Sequence, residues 1–187
     1  MSLTQPQRIV IAGAPGSGKS TLLRALADMG EVCYEECSRA LIHEQLAIGG
    51  PLVPWADLTA FAQECSKRMC TQLTDSARHR RCFFDRGLPD LIGYLTHGGR
   101  SVPEEWREVS RAYATTVFFA PTWREIYVND AERPQTFGEA SELSVHIHRA
   151  YQGFGFRLVE LIKGTVADRR RQVLDCLGRY GNAVKHG

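Results

Sequence analysis

Apolar positions along the chain follow two periods. Five short runs are apolar at nearly every position: 8–12, 32–34, 82–84, 116–120 and 158–162. Such runs predict strands buried on both faces, the condition of a parallel sheet. Between them, apolar residues recur at three- and four-residue spacing, which predicts helices. One starts near Gly18, carries Leu22, Leu23, Leu26 and Ala27, and stops at Gly30. A second covers 38–47 and ends before Gly49-Gly50-Pro51. The third is long, with Asp57 as its N-cap and Leu58, Phe61, Ala62, Cys65, Met69 and Leu73 on one face. A short helix follows over 89–95, closed by Gly98-Gly99. Ser101 and Glu104 stand at capping-box spacing for a helix carrying Trp106, Val109 and Tyr113. Helical spacing returns from Leu143 to Phe154 and again from Val166 to Leu177. Strands alternating with helices predict an α/β fold with a mostly parallel sheet, whose ligands bind at the carboxyl ends of the strands.

The first strand end carries the clearest chemistry. Gly13-Ala14-Pro15-Gly16-Ser17-Gly18-Lys19-Ser20 fits G-x-x-x-x-G-K-[ST], with a strand before it and a helix after it. A phosphate chain is a dense cluster of anionic oxygens, so its site needs many donors and little bulk. Glycines let successive backbone N–H groups turn inward, and the following helix adds its positive end. In this reading residues Gly13 to Thr21 hold phosphate, Lys19 reaches the β- and γ-phosphates, and the Ser20 hydroxyl ligates Mg²⁺.

The other strand ends supply candidate partners. Asp85 follows an apolar strand, where packing does not call for a carboxylate; it is placed to complete the Mg²⁺ site begun by Ser20, or to cap the helix that follows. Arg86 is placed to clamp an anionic substrate or the transferred phosphoryl group, or to pair with Glu35 or Glu36. One of Glu35 and Glu36 points into the cleft, because strand side chains alternate faces, and can accept a proton from a hydroxyl or orient water. The irregular stretch from about 123 to 142 reads as a small lid, with Arg133 first and Arg124 second as phosphoryl-stabilising arginines. Arg149 lies on the helix after it. The loop 49–55 and the long helix behind it read as the acceptor side, with Trp55 or Phe61 available to stack on a base. Arg169-Arg170-Arg171 reads as a solvated helix face.

Composition narrows the setting. The 187 residues suit one domain, 1–187. A formal net charge of +2 gives no argument for a nucleic-acid or membrane surface, and no apolar run approaches the roughly 18 residues of a membrane span. The six cysteines lack common zinc-site spacing. With a polar N-terminus they read as reduced thiols in a cytoplasmic protein.

Three segments carry a resemblance: Gly13 to Ser20, the pair Glu35-Glu36, and Phe84-Asp85-Arg86-Gly87-Leu88-Pro89-Asp90. With Asn129 to Arg133, Ala150-Tyr151 and Val166 to Arg169, they resemble small P-loop proteins often labelled AAA-type ATPases. That family is similar to nucleoside and nucleotide kinases and to the ribosylnicotinamide kinase domain. The resemblance runs from Arg8 to about Leu177. It implies a five-stranded parallel sheet in the order 2-3-1-4-5, and phosphate contacts from Gly16 to Thr21, Arg86 and Arg133. It also implies Mg²⁺ near Ser20 and Asp85, a substrate or base role for Glu35 or Glu36, and adenine packing near 164–169, including Arg169. No second AAA subdomain accompanies these segments.

The expectation is therefore ATP–Mg²⁺-dependent phosphoryl transfer to a small-molecule hydroxyl or phosphate acceptor, a nucleoside, nucleotide or similar compound. An ATPase coupled to a protein partner, and a nucleotide-binding switch without acceptor chemistry, are the alternatives.

Overall fold

The computed structural model describes residues 6–128 and 135–183. The five expected strands form one parallel sheet in the order β2-β3-β1-β4-β5, with β1 Gln7–Ala12, β2 Val32–Tyr34, β3 Arg81–Asp85, β4 Thr116–Phe119 and β5 Arg157–Glu160. The resemblance implied this order. Among the described residues, seven α-helices connect and cover the strands: α1 Lys19–Ala27, α2 Cys37–Ile48, α3 Leu58–Asp75, α4 Leu88–His97, α5 Glu105–Ser110, α6 Phe137–Gly153 and α7 Val166–Ala183.

Both faces of the sheet are covered, which accounts for the unbroken apolar runs. Along β1, Val10 and Ala12 pack with α3, α4 and α6 on one side. Ile9 and Ile11 pack with Leu22 and Leu26 of α1 and Val173 of α7 on the other. Phe84 and Phe83 of β3 divide in the same way between the two layers. The registers align the strand ends: Ile11 lies opposite Asp85 on one side and opposite Phe118 on the other. The loop after β1 and the turn after β3 therefore emerge side by side.

Four elements depart from the sequence reading; the simplest is α7, which runs on to Ala183 instead of stopping at Leu177. β5 ends at Glu160 rather than Ile162, because its partner β4 stops at Phe119, just before Pro121. A proline has no N–H to extend the ladder. The fifth helix is only Glu105–Ser110, and the expected Ser101–Glu104 capping box does not form. Instead Trp106 N–H donates to the carbonyl of Pro103 at 3.3 Å, starting the helix with a turn, and Tyr113 lies beyond its end. Helix α6 starts at Phe137, within the stretch read as a lid. Its start is a capping box: Thr136 Oγ1 accepts from Glu139 N–H at 3.3 Å, and Thr136 N–H donates to Glu139 Oε2 at 2.6 Å. Thr136-x-x-Glu139 was the sequence signal for that start.

Helices α4 and α6 meet closely at Gly93, where a Cβ would lie 2.6 Å from the Ile147 Cα. A glycine-to-alanine change inside a helix ordinarily gains about 1 kcal/mol of propensity. Here the overlap involves backbone, so Gly93→Ala is expected to lower stability by about 1–3 kcal/mol. Urea unfolding measures this, and an unchanged or higher midpoint would contradict the close packing.

Candidate active site

The loop from Gly13 to Ser20 leaves β1 by a path that needs glycine. Gly13 has φ +133°, and a Cβ there would sit 2.4 Å from the Ala120 carbonyl oxygen. At Gly16, with φ +74°, a Cβ would strike the Tyr127 ring at 2.5 Å. Lys19 lies over the loop, 4% exposed, and its ammonium donates to the Ala14 carbonyl at 2.8 Å and to Ser17 Oγ at 3.3 Å. Burial, and then the charge of Arg86, lower its pKa to about 8. Ser20 and Thr21 open the exposed first turn of α1.

Ser20 is tied to the end of β3, since its hydroxyl donates to Asp85 Oδ2 at 2.7 Å. The second carboxylate oxygen, Oδ1, is buried and has no hydrogen-bond partner among the described residues. A buried acceptor without a donor is costly. Burial pushes the Asp85 carboxyl above its ordinary value. A hydroxyl and a carboxylate with unused lone pairs form an oxygen donor set that suits Mg²⁺, so the residues present fit that ion.

Arg86 turns the chain out of β3 with φ +75°, the only non-glycine residue in the left-handed region among the described residues. Its N–H donates to the Ile11 carbonyl at 3.1 Å, which helps to hold that conformation. Its guanidinium donates to Glu36 at 2.8 Å and to the Gly13 carbonyl at 3.0 Å, and lies 3.8 Å from Asp90. Burial opposes the Arg86 charge, but Glu36, Tyr94, Asp90 and Asp85 outweigh it and hold the pKa well above its ordinary value. The ion pair with Glu36 was one of the two sequence readings of Arg86. It also separates the two glutamates: Glu36 joins the buried cluster, while Glu35 is exposed.

Asp90 ends the Phe84–Asp90 segment, and its role emerges only from the fold. Fully buried in the first turn of α4, it accepts from Gly13 N–H at 3.2 Å, Gly87 N–H at 2.9 Å and the Tyr151 hydroxyl at 2.6 Å. It therefore joins the phosphate-binding loop, the turn after β3, and α6. An acidic residue three positions after Gly87, at a helix start, was the signal for it.

Arg169 corrects the reading of the 169–171 run as a solvated face. It is 3% exposed and donates to the Ser17 carbonyl at 2.7 Å and to the Ile162 carbonyl at 2.7 Å. The guanidinium also stands 5.2 Å from the Trp123 ring centroid. Arg170 is half-buried and Arg171 exposed, so only the first of the three turns inward. Arg124 lies over the Phe137 ring at 4.7 Å, Arg149 is on the exposed side of α6, and Arg133 lies outside the described residues.

A small cleft, about 40 Å³, opens beside Pro15, Glu36 and Arg86. Ile42, Trp55, Leu58, Phe61 and Tyr94 supply much of its apolar wall. The loop 49–55 and α3, expected to form the acceptor side, thus contribute to it. Phe61 belongs to the core and Trp55 is 52% exposed, so of these two only Trp55 presents a largely free ring. A wider groove of about 520 Å³ has Ser20, Asp85, Glu35 and Glu36 in its wall. Glu36 and Arg39 line both spaces.

A family model described as an AAA domain matches residues 8–169. The chain belongs to the AAA domain family. No curated protein sequence matches this AAA-domain chain significantly. Among solved structures, it is similar to deoxyadenosine kinase from M. mycoides, solved with products dCMP and dCDP. That match has a TM-score of 0.71 and 13% identity, and covers 92% of this chain and 100% of the other. Shikimate kinase from Acinetobacter baumannii, in complex with shikimate, gives a TM-score of 0.62 and 16% identity over 94% of each chain. The NadR protein in complex with NR gives a TM-score of 0.65 and 18% identity over 94% of this chain and 52% of the other. These likenesses establish a P-loop kinase fold. No helix among the described residues is long and apolar enough to cross a membrane.

Tyr151→Phe is expected to destabilise the fold by about 1–3 kcal/mol, because it takes one donor from the buried Asp90 carboxylate. Denaturant unfolding with unchanged stability would contradict the role given to that hydrogen bond.

Proposed function

We propose that this AAA-domain protein transfers the γ-phosphoryl group of ATP, with Mg²⁺, to a small organic acceptor held at the cleft beside Pro15, Glu36 and Arg86. The observation that carries this reading is the Ser20–Asp85 pair beside the glycine-rich loop, in which the second carboxylate oxygen has no partner among the described residues. The loop from Gly13 to Thr21 binds the phosphate chain through backbone N–H groups and the start of α1. Lys19 leaves the Ala14 carbonyl to meet phosphate oxygens. Ser20 and Asp85 would hold Mg²⁺. When bound, that ion neutralises phosphate charge and orients the transferred group.

The protein side of the mechanism is positioning and charge. Arg86, fixed by Glu36, Asp90 and the Gly13 carbonyl, places a buried positive charge next to the transfer path. Arg169 supports the loop through the Ser17 carbonyl and, with Trp123 and Ile126, offers a surface for the adenine. Arg133, if drawn toward the transferred phosphoryl group, adds a further cation there. The kinase-fold neighbours with dCMP and dCDP, shikimate or NR in their names support phosphoryl transfer as the reaction class and leave the acceptor open.

The test is mass spectrometry of the full chain incubated with Mg²⁺–ATP and a pool of nucleosides, nucleotides, sugars and hydroxy acids. One acceptor gaining a phosphate is expected. Steady ADP release with no phosphorylated acceptor would replace this reading with a partner-coupled ATPase. Lys19→Ala should weaken nucleotide binding and lower turnover by about 100-fold; normal turnover in a steady-state assay would remove the loop from the mechanism. Asp85→Asn should lower turnover by at least about tenfold while nucleotide still binds in EDTA, because it weakens the metal site. Full activity of that variant would separate Asp85 from the chemistry.

A further inference from the structure

Two of the six cysteines meet where α2 packs on α3. Cys37 is the first residue of α2, Cys65 lies midway along α3, and both are buried. Cys37 Sγ donates to the Cys65 carbonyl at 3.6 Å, and the two thiols lie within hydrogen-bonding reach of each other. Packing alone accounts for a buried cysteine. It does not call for two thiols in contact, one of them at the edge of an opening. Cys37 stands in the wall of a groove of about 320 Å³, with Glu35, Arg68 and Gln72, and Cys65 lies enclosed behind it.

The two thiols are unequal. The contact with Cys65, aided by the charges of Arg68 and Arg86, holds the Cys37 thiol below its ordinary value against burial and the charge of Glu36. A place at a helix N-terminus also favours a thiolate. The contact with Cys37, and then burial, push the Cys65 thiol up. Elsewhere burial pushes Cys33 and Cys82 up to about 11 and raises Cys70 as well. Reaction with an oxidant needs a thiolate with access, and a disulfide then needs a second thiol in contact. Cys37, backed by Cys65, meets both conditions.

We propose that Cys37 and Cys65 are an oxidation site: a peroxide joins them as a disulfide, and the new bond weakens nucleotide binding by disturbing the Glu36–Arg86 pair. With hydrogen peroxide, the Cys37 thiolate attacks one peroxide oxygen and the O–O bond breaks. The departing hydroxide takes up the proton that Cys37 released, which gives water and a Cys37 sulfenic acid. The Cys65 sulfur then attacks the Cys37 sulfur, the S–O bond breaks, and the Cys65 proton leaves with the hydroxide as a second water. Two thiols lose two electrons, and the peroxide gains them. Cys37 directly follows Glu36, whose carboxylate holds Arg86 at 2.8 Å, and Arg86 holds the Gly13 carbonyl at 3.0 Å. Drawing the Cys37 sulfur from the Cys65 carbonyl onto the Cys65 sulfur shifts the start of α2. That displaces the Glu36 carboxylate against a guanidinium fixed to the phosphate loop.

The experiment treats the reduced full chain with hydrogen peroxide, alkylates the remaining thiols, digests it without reductant and reads the peptides by mass spectrometry. The expected product is a peptide pair linked through Cys37 and Cys65, lighter than the free peptides by two hydrogens and returned to thiols by dithiothreitol. Cys65→Ser should stop at a Cys37 sulfenic acid that dimedone captures, and Cys37→Ser should leave Cys65 a thiol. Disulfides between other cysteines would overturn the site. So would free thiols at Cys37 and Cys65 under peroxide that oxidises the urea-unfolded chain. Binding of a fluorescent ADP is then compared before and after oxidation. The linked chain should bind at least about threefold more weakly and recover on reduction, while Cys37→Ser treated in the same way keeps its affinity. Equal affinity of the linked and reduced chains would overturn the coupling to the nucleotide site. That coupling rests on the phosphate-loop reading above; a reduced chain that binds no ADP would overturn that reading, and the disulfide map would still decide the oxidation site.

Discussion

The structure turns on a group of charges that the fold holds out of water. Lys19, Asp85, Arg86 and Asp90 are each no more than 4% exposed, and the Glu36 side chain is 13% exposed. Burying any one of them alone would be prohibitive, and burying them together is tolerable only with matched partners. The sheet provides the match. Register places the end of β3 against the end of β1, so the Arg86 N–H reaches Ile11 and its guanidinium reaches Gly13. Asp90 then ties the first loop residue to α4 and α6. The left-handed turn at Arg86 is the local strain this arrangement carries.

From that cluster the molecule divides by function. On one side lie the glycine-rich loop, the start of α1 and Arg169, all built around donors and positive potential suited to a phosphate chain. On the other lies a cleft walled by aromatic and aliphatic side chains from α2, α3 and α4. Asp85 and Glu36 stand where the two sides meet. Asp85 is tied to Ser20 and keeps an unused oxygen, whereas Glu36 is tied to Arg86 and faces the cleft. Two carboxylates in different surroundings are thereby fitted to different work.

Much of this was legible in the chain because the relevant constraints are local or periodic. Strands buried on both faces leave unbroken apolar runs, and a phosphate loop needs glycines at fixed spacing. Asp57, expected to cap the third helix, does so by accepting from Ala60 N–H at 2.9 Å. What could not be read depends on partners distant in sequence. The end of β5 is decided by where β4 stops. Arg169 looks like its two neighbours in composition, and only packing against Ser17 and Trp123 turns it inward. The choice between Glu35 and Glu36 is made by the Arg86 side chain across the sheet, and the role of Asp90 by Gly13 and Tyr151. The capping box at Thr136 is different: its signal was local, and an irregular, polar surrounding stretch obscured it.

The central claim is that the glycine-rich loop and the end of β3 form one phosphate and metal site. A crystal structure of the full chain with Mg²⁺ and ADP tests it most directly. The account predicts the β-phosphate enclosed by the N–H groups of Gly16 to Ser20 and Lys19 Nζ moved from the Ala14 carbonyl to phosphate oxygen. It also predicts Mg²⁺ held between Ser20 Oγ and the Asp85 carboxylate or its bound water. Nucleotide bound elsewhere, or Mg²⁺ held without either residue, would contradict it.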